Sequence, residues 1–452
     1  MNTRMIHHPV MLSRLRGLSR ITWTSACLLM GVRIAYSSDQ IPAKPQDHPI
    51  AIVGATIHVV SGPAVEKGTL LFDKGKIVAV GTGVNIPPKT ELIDGSGKHV
   101  YPGLISSHTE IGLVEIGAVH ASRDMAEIGR INPNVRAEVA VNPESELIPV
   151  LRANGITLAV SAPSGGLISG TSALMMMDGW TWEDMTLRAP LALYVNWPSM
   201  RDIRPSPAPT SEEEERKAKA SALEELIAAF RDARAYMTAK KAETEKGVPY
   251  HETDLRWESM IPVLEGKIPV VVWAEEIRQI QAAVAWAEQE KIRIIIGGGN
   301  DAWRVADLLK TREISVLAGG IHRLPARRFE TYDGPYTLPA KLHEAGIRFA
   351  IITGGSAAHE RNLPFQAGTA AAYGLPKDVA LKSITLSPAE IFGVADRVGS
   401  LEAGKDATLI LTTGDPLEIT TTILTEYIQG RKVDLTSKHT MLYEKYKEKY
   451  RR

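Results

Sequence analysis

The sequence contains one cysteine, no excess of either charge and no long hydrophobic run. Cys27 alone excludes a disulfide framework and every zinc site that is built from cysteines. The 52 Lys and Arg residues balance the 52 Asp and Glu residues, so the composition indicates no basic surface for phosphates and we expect no nucleic acid partner. The 12 histidines still allow a metal site made of imidazoles and carboxylates.

The N-terminus is typical of a secretory signal. Residues 1–37 contain five arginines and no acidic residue, residues 21–32 are mostly apolar, and Ala35-Tyr36-Ser37 offers small residues for cleavage. The apolar run is shorter than the ~20 residues that a membrane-spanning helix needs. We therefore predict a signal peptide at 1–37 and an exported mature chain, periplasmic or extracellular, with no spanning helix and a net charge of −5. An uncleaved anchor is the alternative, because Arg33 lies close to the apolar run.

The two ends of the mature chain have the sequence pattern of short β-strands. Residues 48–100 contain IAIVGATIHVV and GTLLFDKGKIVAVG, separated by turn residues and without a helical period. Residues 398–435 show a similar strand-like pattern in GSLEAGKDATLILTTGDPL and TTILTEYIQGRKV. We predict that the two segments form one small composite β-sandwich. A C-terminal helix at 436–452 follows, and its tyrosines at spacings of three and four predict docking on the body of the protein.

Between residues 101 and 397, apolar runs alternate with helical stretches. Continuous runs of Val, Ile and Leu that are separated by helices indicate a parallel sheet buried on both faces. Seven or eight such repeats predict an α/β protein with a TIM (β/α)8 barrel, whose chemistry lies at the C-terminal ends of the strands. The runs are VYPGLISSH, GITLAVSAP, LALYVNWP, IPVVVWAEE, IRIIIGGG, ISVLAGG and IRFAIITGG, with SALMMM as a possible eighth.

Two residues able to bind a metal end the first of these runs. His108 and Glu110 are separated by one residue, and alternate residues of a strand point to the same face. An imidazole nitrogen and a carboxylate oxygen could therefore reach one ion together. Two ligands alone make a weak site, and the other interpretation is a buried histidine with Glu110 as its hydrogen-bond partner.

The sequence PGLISSHTE resembles the PGLID-x-H-x-H strand of the amidohydrolase superfamily, in particular its imidazolonepropionase-like and dipeptidase-like branch. Later segments resemble later blocks of that family in the same order, among them KIPVVVWAEE, IIIGGGNDAWRVADLL, RNLPFQAGTAAAYGLP and ITLSPAEIFGVADRVGSLEAGKDATLIL. The resemblance covers roughly residues 50–433. It implies a TIM barrel with a composite β-sandwich and hydrolysis of C–N bonds, in non-peptide or dipeptide amides, at one or two divalent ions.

The resemblance also implies five metal-site positions, and this chain keeps few of their side chains. The first histidine is retained as His108 and the second is replaced by Glu110. The third position falls on Trp273, the fourth on Gly298 and the aspartate on Gly354, none of which can ligate a metal. We expect a residual site at His108 and Glu110 that holds one zinc, manganese or iron ion, or no ion at all.

A rebuilt site would need other side chains near the mouth of the barrel. His359 and Arg361 follow the last predicted strand, and Arg361 or Arg323 could anchor an anion. Further candidates lie close to the ends of the apolar runs; they are Glu115, His120, Asp124, Glu275, Glu276, His322 and Glu360.

Three functions remain open from the sequence. The first is a metal-dependent hydrolase of C–N bonds with a rebuilt site. The second is a barrel that binds a small molecule or a peptide at its mouth without hydrolysing it, with Trp273 as an apolar wall. The third is a structural subunit that pairs with an active paralogue or with copies of itself. Family ancestry favours the first function and the loss of ligands favours the other two.

Overall fold

The structure is a computed structural model that describes residues 40–200, 212–246 and 252–451. The predicted signal peptide at 1–37 lies outside the described residues. Among those residues no helix is both long enough and apolar enough to cross a membrane.

The strands of the described residues form two sheets, each of eight strands. The first sheet contains β1 (Ile50–Ile57), β2 (Val65–Asp73), β3 (Lys76–Gly81), β4 (Glu91–Asp94), β5 (His99–Pro102), β14 (Leu409–Thr412), β15 (Ile423–Ile428) and β16 (Arg431–Lys432). The second contains β6 (Leu104–Thr109), β7 (Ile156–Ser161), β8 (Ile168–Met176), β9 (Thr186–Asn196), β10 (Val270–Ala274), β11 (Ile294–Gly298), β12 (Ser315–Gly319) and β13 (Phe349–Ile352).

Helices lie mainly between the strands of the second sheet. They are α1 (Ala137–Ala140), α2 (Ile148–Arg152), α3 (Trp182–Met185), α4 (Glu212–Lys246), α5 (Leu255–Leu264), α6 (Ile277–Glu290), α7 (Ala306–Thr311), α8 (Gly334–Glu344), α9 (Leu363–Ala372), α10 (Lys377–Lys382), α11 (Leu386–Ile391) and α12 (Lys438–Arg451). Short 3₁₀ turns occupy His120–Ser122, Ala302–Val305 and Ala357–Asn362.

Both ends of the described chain contribute to the first sheet. Its strand order is β16-β15-β14-β5-β1-β2-β3, and β4 pairs with β1. The contact between the two ends is the antiparallel pairing of β14 with β5, in which Leu409 faces Pro102. Phe72 and Tyr427, one from each end, pack edge to face at 4.9 Å in the core of this unit. The prediction that both chain ends build one small β unit is confirmed, but its strands form one continuous sheet and not the two separate sheets of the predicted sandwich.

The second sheet is the predicted barrel, in the order β6 to β13. Its strands are runs of β-branched residues such as VVV in β10 and III in β11, and they are buried as predicted for a parallel sheet. SALMMM contributes the eighth strand, β8, which is antiparallel to both β7 and β9. The expectation of parallel strands is wrong for β8. Only six residues join it to β7, too few for a crossover helix, so the two strands form a hairpin.

The barrel closes between β6 and β13 without a continuous ladder of hydrogen bonds. At the mouth, Thr109 bridges Gly355. Deeper in the barrel, the N–H of Ile105 donates to the carbonyl of Ile384 at 2.8 Å, and the N–H of Ile351 donates to the carbonyl of Ser383 at 3.2 Å. The segment that carries Ser383 and Ile384 therefore satisfies backbone donors of both strands.

The C-terminal helix α12 does not dock its tyrosines on the body of the protein, so that prediction is wrong. No residue of α12 is buried. Tyr443 is 64% exposed and Tyr450 is 79% exposed. The sequence pattern indicated an amphipathic helix, but it could not indicate which surface covers the apolar stripe.

Candidate functional site

The predicted site residues lie at or beyond the C-terminal ends of the barrel strands. His108, Trp273 and Gly298 belong to the last residues of β6, β10 and β11. Glu110 and Gly354 follow β6 and β13, and His359 and Arg361 lie in the 3₁₀ turn after β13.

His108 is enclosed by aromatic rings and backbone. Its ring packs edge to face against Trp273, with centroids 4.7 Å apart, and stacks on Tyr194 at 5.5 Å. A Cβ on Gly355 would lie 3.3 Å from His108 Nε2, so the histidine also packs against this backbone. Its Nδ1 is buried and has no hydrogen-bond partner among the described residues. Burial lowers the pKa of His108 to about 4, so the imidazole is neutral at physiological pH.

Glu110 is only half-buried and is held by its neighbours. Its backbone N–H donates to the carbonyl of Gly355 at 3.3 Å, which fixes the residue beside the strand β13. Burial raises the pKa of the Glu110 carboxyl, while a hydrogen bond from Ser164 and the charge of Arg123 act in the opposite direction. The register between β6 and β7 shifts between Ser106 and Thr109, so the simple alternation expected for His108 and Glu110 is interrupted before Glu110.

Trp273 lies in β10 directly opposite Gly297 of β11. A Cβ on Gly297 would lie 3.0 Å from Cδ2 of the indole, so the glycine gives the ring the space to lie across the neighbouring strand. The indole therefore occupies the third ligand position of the implied metal site and contacts His108 from there.

Gly298 lies under the carboxylate of Glu275. A Cβ built on Gly298 would overlap the Glu275 side chain, and the glycine has a φ of +83°, a conformation that other residues rarely adopt. The N–H of Asn300 donates to Glu275 Oε2 at 3.3 Å, and the N–H of Glu275 donates to Gln279 Oε1 at 3.1 Å. The position that the resemblance assigns to a fourth ligand thus has no side chain, and the Glu275 carboxylate fills the space above it.

Glycines end three neighbouring strands on this side of the mouth. Beyond Gly298, a Cβ on Gly319 would lie 3.4 Å from the Gly298 Cα, and a Cβ on Gly354 would lie 3.8 Å from the Gly320 Cα. Gly354 has a φ of +103°. The fifth ligand position is therefore part of a wall of backbone that presents no side chain to an ion.

The two candidates beyond β13 do not reach the strand ends. The side chain of His359 is exposed. Arg361 forms a hydrogen bond of 2.8 Å with Nδ1 of His439, at the start of α12. Neither side chain is brought to His108 by any contact of the described residues.

Glu360, between these two candidates, is completely buried. Its Oε1 accepts from the hydroxyl of Ser106 and its Oε2 from the hydroxyl of Thr353, both at 2.6 Å, and Thr109 supplies a third hydroxyl. Burial raises the pKa of Glu360 to about 7, against the opposing effect of the three hydroxyls. Since Ser106 and Thr109 belong to β6 and Thr353 follows β13, the carboxyl group joins the two strands at which the barrel closes.

Metal donors are not gathered at the mouth. Within residues 40–200, 212–246 and 252–451, no group of three His, Cys, Asp or Glu side chains is arranged to hold an ion. His108 and Glu110 are the retained and altered members of the implied set, and the other three positions carry an indole or a glycine.

Comparisons with known proteins agree with this architecture. Residues 335–443 match the model of the Amidohydrolase family. The chain is 20% identical over 390 residues to amidohydrolase tasK of Hapsidospora irregularis, covering 80% of this chain and 39% of that protein. It is 25% identical to the imidazolonepropionase of Fusobacterium nucleatum subsp. nucleatum, over 75% of this chain and 83% of that protein. The crystal structure of an amidohydrolase from Thermotoga maritima superposes with a TM-score of 0.76 at 26% identity, over 85% of this chain and 99% of that one. The chain is a member of the amidohydrolase superfamily.

In this amidohydrolase-superfamily chain, the surroundings of two acidic side chains could not be predicted from the sequence. Glu275 and Glu360 were both among the candidates for a rebuilt site, on the ground that they follow apolar runs. The sequence carried no signal that Glu275 covers Gly298 or that Glu360 is buried among hydroxyls. Both arrangements depend on the direction of a side chain outside the strands.

Proposed function

We propose that this amidohydrolase-superfamily protein binds a small zwitterionic ligand at the barrel mouth and does not activate water on a divalent ion there. The observation that carries the proposal is the Glu275 carboxylate over Gly298, which takes the space of a superfamily ligand. Its hydrogen bond from Asn300 and the backbone contact between the Glu275 carbonyl and the Asp301 N–H, at 3.0 Å, hold the segment in place.

The remaining donors do not fit a catalytic ion. Hydrolysis at a metal requires the protein to fix the coordination of the ion and to supply a base for the proton of the attacking water. His108 is enclosed by Trp273, Tyr194 and Gly355, and Glu110 alone cannot fix the coordination of an ion. These donors therefore neither fix a metal ion nor supply a base for water activation at the mouth.

The charges at the mouth favour a zwitterion. Carboxylates at Glu110 and Glu275 attract an ammonium group, and the guanidinium of Arg323 suits a carboxylate. Arg323 donates to the carbonyls of Gly319 and Leu324 and to Oδ1 of Asn300, which uses three of its five N–H donors. The Trp273 ring, which is partly exposed near the end of β10, supplies apolar surface at the mouth. An amino acid or a dipeptide combines these features.

Metal content and dipeptide binding, measured on one preparation, test the proposal. After incubation with zinc, manganese or iron and gel filtration, we expect far less than one ion per chain. Alanyl-glycine should raise the unfolding temperature without release of free glycine. Arg323→Gln should abolish this thermal shift. Arg348→Gln, the same replacement directly before β13 at the opposite end of the barrel, should leave it unchanged. One ion per chain that Glu110→Ala releases, together with glycine release, would contradict the proposal.

A subunit role is a second candidate, which exposed apolar side chains on the loops after β6 and β12 favour. Ile128 is 98% exposed, Leu324 is 83% exposed and Phe329 is 76% exposed. If these side chains lie together in the folded chain, they form the kind of exposed apolar patch that another protein covers. We expect light scattering to report an oligomer, and the pair Leu324→Ser and Phe329→Ser to dissociate it. A monomer at all accessible concentrations would argue against self-assembly through these loops.

A further inference from the structure

The helix α12 carries an apolar stripe that nothing in the described residues covers. Tyr443, Tyr446 and Tyr450 are 64%, 48% and 79% exposed, and Leu442 is 41% exposed. The helix is tied to the barrel at its start, where His439 pairs with Arg361. Because none of its residues is buried, the stripe contributes nothing to the core and is available to an external surface.

The stripe is narrow and aromatic. At about 100° per residue, Leu442, Tyr443, Tyr446 and Tyr450 fall within an arc of about 100° on one side of the helix. Met441 lies on the opposite side. Tyrosine combines an apolar ring with a polar hydroxyl, and it is favoured where one end of a side chain is in an apolar medium and the other in water.

Charge is distributed around the stripe by sign. Residues 438–451 contain five Lys and Arg residues and two Glu residues, a net charge of +3 within a chain whose total is zero. By the same angular spacing, Lys447 flanks the stripe on one edge and Lys438, Lys445 and Lys449 flank it on the other, while Arg451 lies toward the back of the helix. Glu444 and Glu448 lie on the back of the helix.

The ammonium groups of two lysines lie near the tyrosine rings. Lys447 Nζ is 5.2 Å from the centroid of Tyr443, and Lys449 Nζ is 5.9 Å from that of Tyr446 and 5.5 Å from that of Tyr450. The ammonium groups thus border the aromatic surface on both edges, and that of Lys447 also pairs with Glu444 at 3.1 Å. Lysines in this position can reach anionic groups while their stems remain on apolar surface.

These observations indicate what kind of surface covers the stripe. A second copy of α12 packed on the first would place cationic edges against each other, which opposes self-association. A surface with dense negative charge and an accessible apolar layer complements both the lysines and the tyrosines. We propose that α12 lies on an anionic lipid surface, with its tyrosines at the level of the headgroups and its basic residues on the lipid phosphates.

Vesicle binding by the full chain tests this interaction. We expect the protein to cosediment with vesicles that contain one-third phosphatidylglycerol in phosphatidylcholine, and binding to fall at least about tenfold on pure phosphatidylcholine. A triple variant, Tyr443→Ser, Tyr446→Ser and Tyr450→Ser, should lose binding to a similar extent, and so should Lys445→Gln, Lys447→Gln and Lys449→Gln. Met441→Ser removes an exposed apolar side chain from the opposite side and should leave binding unchanged. All variants should keep the unfolding temperature of the wild type.

A second measurement observes α12 itself, independently of any lipid binding by the N-terminal residues. Hydrogen exchange of the backbone amides in residues 438–451 should slow when phosphatidylglycerol vesicles are added, and should not slow in the tyrosine triple variant. Unchanged exchange in the wild type would overturn the proposal. So would equal binding to neutral vesicles, or slowing that depends on protein concentration without lipid, which would assign the stripe to a second copy of the chain.

Discussion

Glu360→Gln should remove a pH dependence from the stability of the protein. The Glu360 carboxyl is fully buried, and burial raises its pKa from 4.5 to about 7. The folded state therefore binds a proton between about pH 4.5 and 7 that the unfolded state does not bind, so the free energy of unfolding rises as the pH falls through this window. Above pH 7 the folded protein holds an unneutralised carboxylate among three hydroxyls. Glutamine has no charge to bury, and its amide can still hydrogen-bond to Ser106 and Thr353.

The expected size of the effect is about 2.5 kcal/mol between pH 5 and pH 8. Urea unfolding at the two values, on the wild type and on Glu360→Gln, gives the difference. Glu344→Gln is the matched control, because it makes the same replacement in a side chain that is exposed at the end of α8. We expect the control to keep the profile of the wild type.

His108 has the opposite effect in nearly the same range. Burial lowers its pKa to about 4, so the stability due to the neutral imidazole is lost as the pH falls from about 6.5 to 4. The free energy of unfolding of the wild type therefore contains both pH dependences, which partly cancel each other. Since His108 is present in both proteins, the difference between wild type and Glu360→Gln isolates the carboxyl group. A difference that does not change with pH would show that Glu360 titrates as it does in the unfolded chain.

The barrel could be predicted from the sequence because its strands are local features. Each apolar run is long enough to form one strand of the barrel, and each is bounded by glycine, proline or polar residues. The orientation of β8 was missed because it depends on the six residues between Ser161 and Ile168, and a run of apolar residues does not reveal its direction. The closure of β6 and β13 through Ser383 and Ile384 joins residues far apart in the chain, for which a single sequence gives no signal.

The location of the candidate site could be predicted from the sequence, but the side chains that fill it could not. The family resemblance assigned ligand positions to His108, Trp273 and Gly298, and the strand assignments placed these residues at one edge, where the C-terminal ends of parallel strands meet. What fills the space above Gly298 depends on the rotamer of Glu275, which the strand pattern does not constrain. Likewise, Ser106 and Glu360 are 254 residues apart in the chain, and only the finished barrel brings them to 2.6 Å.

Gly298→Ala should cost about 2–3 kcal/mol of stability, in two separable parts. The glycine has a φ of +83°, which costs a residue with a Cβ about 1–2 kcal/mol. The added Cβ also overlaps the Glu275 carboxylate and must displace it, which breaks the hydrogen bond from Asn300 and costs about 1 kcal/mol more. Urea unfolding of the variant measures the sum. Gly266→Ala measures the first part alone, because Gly266 has a φ of +71° and open space around its Cβ position.

The second part is measured by a double-mutant cycle with Glu275→Ala. In that background the carboxylate is absent, so Gly298→Ala should cost only about as much as Gly266→Ala, and the coupling energy should be about 1 kcal/mol. Additive effects would show that the Glu275 carboxylate moves away from Gly298 without a cost in free energy. The space of the fourth superfamily ligand would then be accessible, and the proposal that no metal ion acts at the mouth would be weakened. A clear coupling would show that the carboxylate belongs to the folded wall of the barrel. A larger side chain at position 298 would then meet the same obstacle, so placing a metal-binding side chain there would require removal of Glu275 as well.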